Sequence, residues 1–168
     1  LRPAGHRPAP PVNPPTPEPR VRSLRPADLP AVMRIERSVY PSPWPEEHLV
    51  RIVAFPGAIG RVAELPDGEV VGYALGWVAA DEAELANIAV APPHRRSGVG
   101  NRLLESMREA AAERGATRMY LEVRVSNEVA QTFYRSRGFT VTGRRREYYS
   151  RPREDALTMA VDLTHVGT

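Results

Sequence analysis

The stretch from Glu84 to Arg114 constrains the fold more than any other part of the chain. Glu84 to Val90 reads as a strand, residues 91–97 interrupt it with Pro92 and Pro93, and a helical pattern opens on Gly98 and Gly100. From Gly98 to Arg114 the apolar residues Val99, Leu103, Leu104, Met107, Ala110 and Ala111 recur on one helical face. Gly115 stops that helix. A second strand follows: Arg118 to Arg124 alternates strictly, with Met119, Leu121 and Val123 on one side and Tyr120, Glu122 and Arg124 on the other. Two strands and a helix with a single apolar face bury that face by laying the helix on a sheet.

The flanking segments extend this pattern. Val21 to Leu24 alternates as a short first strand, and Asp28 precedes a helical run through Leu29, Val32, Met33, Ile35 and Glu36 to about Val39. Tyr40-Pro41-Ser42-Pro43-Trp44-Pro45 cannot continue that helix, because three prolines fix φ and remove amide donors. A short second helix runs from Pro45 to about Ala54, with Glu46 and Glu47 in its first turn. Ala58 to Leu65 and Glu69 to Val78 form a hairpin closed by Pro66-Asp67-Gly68. Asn127 suits the cap of a helix carrying Val129, Ala130, Phe133 and Tyr134 and ended by Gly138. Thr140 to Tyr149 and Leu157 to Leu163 are the last strands. The order β-α-α-β-β-β-α-β-α-β-β predicts an α/β domain with a mixed central sheet, helices on its faces and an antiparallel end.

Residues 1–19 hold eight prolines and almost nothing apolar. The expected organisation is therefore a proline-rich flexible tail over 1–19 and one domain over 20–168. No apolar run approaches the roughly 18 residues that span a bilayer, and no apolar signal core stands at the start, so a cytoplasmic protein without membrane contact is expected. The 168 residues contain no cysteine, which excludes disulfides, thiolate metal sites and an acyl-cysteine intermediate. The four histidines, at positions 6, 48, 94 and 165, lack metal-ligand spacing, and no metal is predicted. The net charge of +3 favours anionic partners weakly. Its arginines are spread without stacking aromatics, so direct nucleic-acid binding is not expected.

The loop before the long helix carries the clearest chemical signal. The first amides of a helix lack internal partners, and its dipole favours an anion there. Gly98 and Gly100 let a phosphate approach the backbone, while Arg95 and Arg96 add positive charge. Physics alone reads a phosphate-bearing ligand, or else a glycine loop with none. The glycine spacing is not that of the dinucleotide fingerprint, and no lysine follows to make a P-loop.

Arg95-Arg96-Ser97-Gly98-Val99-Gly100 resembles the Arg/Gln-x-x-Gly-x-Gly/Ala motif of the GNAT superfamily of N-acetyltransferases. Asp81-Glu82-Ala83-Glu84-Leu85 with Asn87-Ile88-Ala89-Val90, Leu121-Glu122-Val123-Arg124 with Ser126-Asn127, Tyr134 with Gly138-Phe139, and Arg145-Arg146-Glu147-Tyr148-Tyr149 followed by Arg153-Glu154-Asp155-Ala156 are similar to the bacterial ribosomal-protein-alanine N-acetyltransferases of RimI type. Pro43-Trp44 matches a Pro-Trp of that family's first loop, whereas Pro45 replaces its usual Ser or Thr cap and alters the acceptor mouth. The resemblance runs from Val21 to Leu163.

The resemblance implies the GNAT fold, in which two parallel strands of the sheet splay apart and acetyl-CoA lies in the opening. Ile88, Ala89 and Val90 would line the acetyl and pantetheine arm. Arg95, Arg96, Ser97, Gly98, Val99, Gly100 and Asn101 would hold the pyrophosphate, and Asn127 would also touch the cofactor. Glu122 would be the general base for the substrate ammonium, against a plain ion pair with Arg124 or another arginine. Tyr134 would protonate the departing thiolate, against an aromatic packed beside Phe133 and Phe139. Tyr40, Trp44, Tyr148 and Tyr149 stand between substrate contact and packing, and Glu36 between peptide contact and a surface position. The implied activity is direct acetyl transfer, in a ternary complex, to a protein N-terminal α-amine, such as the alanine of a small-subunit ribosomal protein, by a monomer or weak dimer. Broader N-terminal or small-amine substrates, and an idle acyl-CoA-binding module, are the rival readings.

Overall fold

The computed structural model describes residues 9–12 and 17–166. Seven strands make one sheet: β1 (Arg20–Ser23), β2 (Ala58–Glu64), β3 (Val70–Ala79), β4 (Glu82–Val90), β5 (Arg118–Arg124), β6 (Thr140–Ser150) and β7 (Arg153–Asp162). Four α-helices accompany them: α1 (Leu29–Val39), α2 (Glu46–Val53), α3 (Val99–Glu113) and α4 (Glu128–Arg135). The strand order is β1-β2-β3-β4-β5-β7-β6, antiparallel everywhere except between β4 and β5. The mixed α/β architecture expected from the sequence is the one present. Of the proposed tail, residues 1–8 and 13–16 lie outside the described residues. Its end touches the domain where Arg102 donates to the Pro19 carbonyl at 2.7 Å.

Two cores lie on the two faces of the sheet. α3 and α4 cover one, burying Leu103, Leu104, Met107 and Tyr134 against Leu85, Met119, Leu121 and Val123. α1 and α2 cover the other, burying Val32, Ile35, Leu49 and Ile52 against Val62, Tyr73, Leu75 and Ala89. Strand alternation sorts β3 between them: Tyr73 and Leu75 face α1, while Gly72 and Gly76 lie under α3. A Cβ on Gly72 would stand 3.0 Å from Leu103, and one on Gly76 3.1 Å from Met107, so the missing side chains form the trough in which α3 lies. One apolar assignment fails. Val129 is 84% exposed, and Gln131 is the buried residue of α4's first turns. Its amide donates to the carbonyls of Arg124 and Val125 at 3.1 and 2.8 Å, the first of which also accepts the Asn127 N–H at 3.0 Å.

Two irregularities in β4 prepare the site. Leu75 pairs with Asn87 but Gly76 with Leu85, so Ala86 is an extra residue in a β-bulge. Leu85 points into the α3 core, whereas Asn87 and Ala89, two and four residues on, point to the α1 side. Without the bulge the period of two would hold all three on one face. The second irregularity is the short β4–β5 ladder, which joins only Glu82, Ala83 and Glu84 to Arg118, Met119 and Tyr120. Beyond those pairs the strands part. A Cβ at Gly76 would also lie 2.2 Å from the Glu84 carbonyl, so this bulge and a glycine opposite it require each other. Gly76→Ala is expected to lower stability by about 1–3 kcal/mol, and Gly143→Ala, with nothing within 4 Å of the added carbon, to change it by less than about 0.5 kcal/mol. Urea unfolding of the two variants checks the contrast.

Candidate functional site

Where β4 and β5 separate, backbone groups that would have bonded to each other need other partners. Side chains supply several. The Ile88 N–H donates to Asn87 Oδ1 at 3.0 Å, and the Tyr40 hydroxyl lies 2.9 Å from both the Ile88 carbonyl and Asn87 Oδ1. The Val90 carbonyl accepts from Arg95 Nε at 3.4 Å. Tyr40 and Arg95 are thus drawn to the strand edge formed by Ile88, Ala89 and Val90.

Glu122 is on β5, two residues past the last β4 partner, with its side chain only 10% exposed. Its Oε1 lies 3.5 Å from Nε of Arg145, an ion pair whose cation is mostly in solvent. Arg124 is occupied elsewhere, by Glu154 at 3.5 Å and by the Tyr149 ring at 4.1 Å. A second carboxyl, absent from the sequence-based set, stands beside Glu122. Glu84 is on the same sheet face and hydrogen-bonds Glu122, and its carboxyl is pushed up to about 7 by burial, then by Glu122, with Arg145 opposing.

Tyrosines approach the same gap from several elements. Tyr134 of α4 is buried between the rings of Phe133 and Phe139, at 5.3 and 5.5 Å. Burial, then the neighbouring Tyr40 and Tyr149, holds its phenol well above the ordinary range, so it stays protonated and able to donate. Tyr149 is pushed up to about 12 by burial and by Tyr148, and it also feels Glu122. Tyr148 and Tyr149 meet edge to face at 5.0 Å. They are carried by a bulge in which Arg145 pairs with Ala156 but Tyr149 with Glu154, leaving two extra residues on β6. Tyr148 is 48% exposed on that bulge. Aromatic packing and proximity to the gap, set against each other in the sequence reading, coexist at Tyr134 and Tyr149.

The other mouth loop is tied down from below. Trp44 packs on the α1 side core and edge to face on His48 at 4.7 Å. Its backbone N–H donates to Glu36 Oε1 at 3.0 Å. Glu36 is neither on the surface nor at the mouth: it is 1% exposed, and Tyr73 and Asn87 also donate to it. Sequence periodicity put Glu36 in the helical run but missed Tyr73 and Asn87, because the bulge at Ala86 is what turns Asn87 towards it.

The loop before α3 has the backbone its glycines suggested. Gly98 is left-handed, φ +83°, with nothing within 4 Å of a built Cβ, so the dihedral alone requires glycine there. Arg96 is also left-handed, φ 61°, in a conformation uncommon for a side-chain-bearing residue. The first intrahelical bond runs from the Arg102 N–H to the Gly98 carbonyl at 3.1 Å, leaving the amides of Val99, Gly100 and Asn101 ahead of it. A Cβ on Gly100 would make ordinary contact with Phe133 at 3.6 Å, so no protein neighbour forbids a side chain there. A ligand drawn close to the helix start would. These groups fit a phosphate. Ser97 Oγ donates to the His94 carbonyl, and Asn101 Oδ1 accepts from Arg137, whose guanidinium lies 3.8 Å from the Phe133 ring centre. Asn127 is exposed and caps α4, its side chain accepting the Ala130 N–H at 3.1 Å. A hollow lined by Thr117, Gly138, Thr140 and Asp162 lies at the other end of β5.

Many known proteins resemble this chain in sequence and in fold. The model of the acetyltransferase (GNAT) family matches residues 29–139. An Escherichia coli (strain K12) protein named [ribosomal protein bS18]-alanine N-acetyltransferase is 36% identical over 146 residues, 86% of this chain and 97% of that protein. The crystal structure of the E. coli ribosomal-protein-S18-alanine N-acetyltransferase superposes with a TM-score of 0.80 at 35% identity, covering 89% of this chain and 96% of that one. The crystal structure of a nourseothricin acetyltransferase superposes with a TM-score of 0.73 at 27% identity, covering 87% and 99%.

The burial of Glu84 beside Glu122 has a thermodynamic consequence. Its carboxyl rises from an ordinary 4.5 to about 7 on folding, so the folded state favours the protonated form. The stability this gives is complete below about pH 4.5 and is lost as pH rises through about 7. Glu84→Gln is expected to flatten the fall in stability across that window, read as the urea midpoint at pH 5, 6, 7 and 8. Parallel pH curves for the two proteins would show that the Glu84 carboxyl is not raised on folding.

Proposed function

The chain belongs to the GNAT acetyltransferase family and is an N-acetyltransferase with the GNAT fold; from that premise we propose that it transfers acetyl from acetyl-CoA directly to a protein N-terminal α-amine, in particular the N-terminal alanine of a small-subunit ribosomal protein. The observation that carries this reading is the parting of β4 and β5 beyond Glu84 and Tyr120, with Glu122 on β5 just past the last pair and the buried Tyr134 phenol within electrostatic reach of Tyr40 and Tyr149. The 36% identity to the alanine N-acetyltransferase supports the acceptor.

Acetyl-CoA supplies an acetyl thioester. The amides of Val99, Gly100 and Asn101, with Arg95, Arg96 and Ser97, suit its pyrophosphate, and the edge of Ile88, Ala89 and Val90 suits its amide-bearing arm. Asn127 is placed with this group by resemblance. The acceptor arrives as an ammonium, with an ordinary pKa of about 8. Glu122, nearly buried and held by Arg145 at 3.5 Å, takes its proton, directly or through water, so that the nitrogen lone pair is free. The C–N bond then forms as the C–S bond breaks; Tyr134, kept protonated by its burial, gives its proton to the sulfur, and the nitrogen sheds its second proton, through solvent, to restore the phenol. No enzyme cysteine is present to carry the acetyl group. Tyr40, Trp44, Tyr148 and Tyr149 border the acceptor mouth.

With acetyl-CoA and a peptide beginning with alanine, the protein is expected to release CoA. Glu122→Gln and Tyr134→Phe should each lower kcat by about 10²–10⁴, the usual worth of a positioned acid or base. Unimpaired turnover in both variants would overturn the two roles. Turnover on polyamines, aminoglycosides or nourseothricin with no acetylation of any N-terminal peptide would overturn the acceptor class.

A further inference from the structure

Glu36 is a fully buried acid for which the acetyl-transfer chemistry above has no use. It is 1% exposed, and among the described residues it forms no ion pair. Burying a carboxylate is costly unless donors replace its water. Three do: the Trp44 N–H to Oε1 at 3.0 Å, and the Tyr73 hydroxyl and Asn87 Nδ2, the latter at 2.9 Å, to Oε2. Burial and the nearby Glu36 push the Tyr73 phenol up, so it remains a donor. Asn87 Nδ2 also donates to the Tyr73 oxygen at 2.9 Å, which uses both amide hydrogens. Its amide oxygen then holds the Ile88 N–H, with the Tyr40 hydroxyl also in reach.

One continuous chain of hydrogen bonds therefore runs from the backbone of the Tyr40–Pro45 loop, through Glu36 and Asn87, to the backbone of Ile88. The Tyr40 hydroxyl has one proton and two acceptors at 2.9 Å, Asn87 Oδ1 and the Ile88 carbonyl. Whatever engages the Ile88 carbonyl decides where that proton goes, and the loop bearing Tyr40 and Trp44 feels the choice.

We propose that Glu36 is a positioning residue that ties the acceptor-mouth loop to the cofactor edge of β4, so that acetyl-CoA and the acceptor strengthen each other's binding. This rests on the reading of the gap as the acetyl-CoA site. The carboxylate is the one side chain of this size that accepts on both ends. In Glu36→Gln the amide oxygen keeps the two donors on the strand side, and the amide nitrogen then confronts the Trp44 N–H. The substitution cuts the Trp44 link between loop and strand while leaving the strand arrangement and the Tyr40 hydroxyl contacts in place.

The test uses the two tryptophans, Trp44 and Trp77. In a Trp77→Phe background, Trp44 is the single indole reporter. Acetyl-CoA added without acceptor is expected to change Trp44 emission, and acceptor peptide with CoA to tighten CoA binding about fivefold or more by calorimetry. In Trp77→Phe/Glu36→Gln, CoA binding alone should stay within about threefold, the emission response should vanish, the coupling should fall to about one, and peptide KM should rise about tenfold with kcat less affected. An unchanged response and coupling, with only a lower melting temperature, would overturn the proposal. If Glu36→Gln does not fold, Asn87→Ala cuts the same chain from the strand side and carries the same expectations for the emission response, the coupling and the peptide KM. No binding of acetyl-CoA to the unmodified protein would overturn the proposed function itself. Binding without a Trp44 response would overturn the role of Glu36 alone.

Discussion

Parallel strands exchange backbone hydrogen bonds only while they lie about 5 Å apart, and here β4 and β5 do so for three residue pairs before separating. The chain must then satisfy the polar edges it has opened. It does so with side chains: Asn87 and Tyr40 at Ile88, Arg95 at Val90, and Gln131 at the carbonyls of Arg124 and Val125. An edge held by flexible side chains rather than a neighbouring strand remains available to an extended ligand carrying amides of its own, which is the property an acetyl-CoA site requires. The β7 ladder, complete from Arg118 to Arg124, keeps β5 rigid while its other edge is free.

The two faces of the sheet contribute different chemistry to this opening. α3 and α4 sit on the side of Leu85 and Leu121 and bring the helix start and Tyr134. The opposite face, where α1 packs, brings Glu84, Glu122, Asn87 and the mouth loop. Glu122 and Tyr134, the acceptor and donor of the proposed mechanism, thus belong to separate layers on either side of the place where the sheet parts. Burial acts in one direction on both kinds of group. It raises the phenols of Tyr134 and Tyr149 and the carboxyl of Glu84, because charge is disfavoured away from water. Tyr134 keeps its proton, and the Glu84 carboxyl can hold one near neutrality.

Much of this was legible in the residues. The α3 face, the alternation of β5 and the glycines before α3 follow from periods of 3.6 and 2 and from left-handed backbone, all of which are local. Glu122 was legible as a residue of the right type on the polar face of a strand, and Tyr134 as a phenol after a capped helix start. The failures are equally specific. Val129 fits an apolar helical face but lies outward, because α4 meets the sheet through Gln131 and Tyr134 instead. Glu84 was read as a strand and motif residue but not as a site residue, because its importance comes from a partner on a different strand.

The sequence by itself determined the elements, their order and the residue types able to bind a phosphate and move a proton, because these depend on neighbours a few positions apart. Tertiary structure alone decided that Glu84 touches Glu122, that Glu36 is buried beneath the mouth loop, and that Asn87 faces it. Each depends on where strands pair and stop pairing. A single extra residue at Ala86 reverses which face the rest of β4 presents; the alternation shows the change of parity, from Glu84 and Leu85 to Asn87 and Ile88, but not the distant side chains that Asn87 then meets.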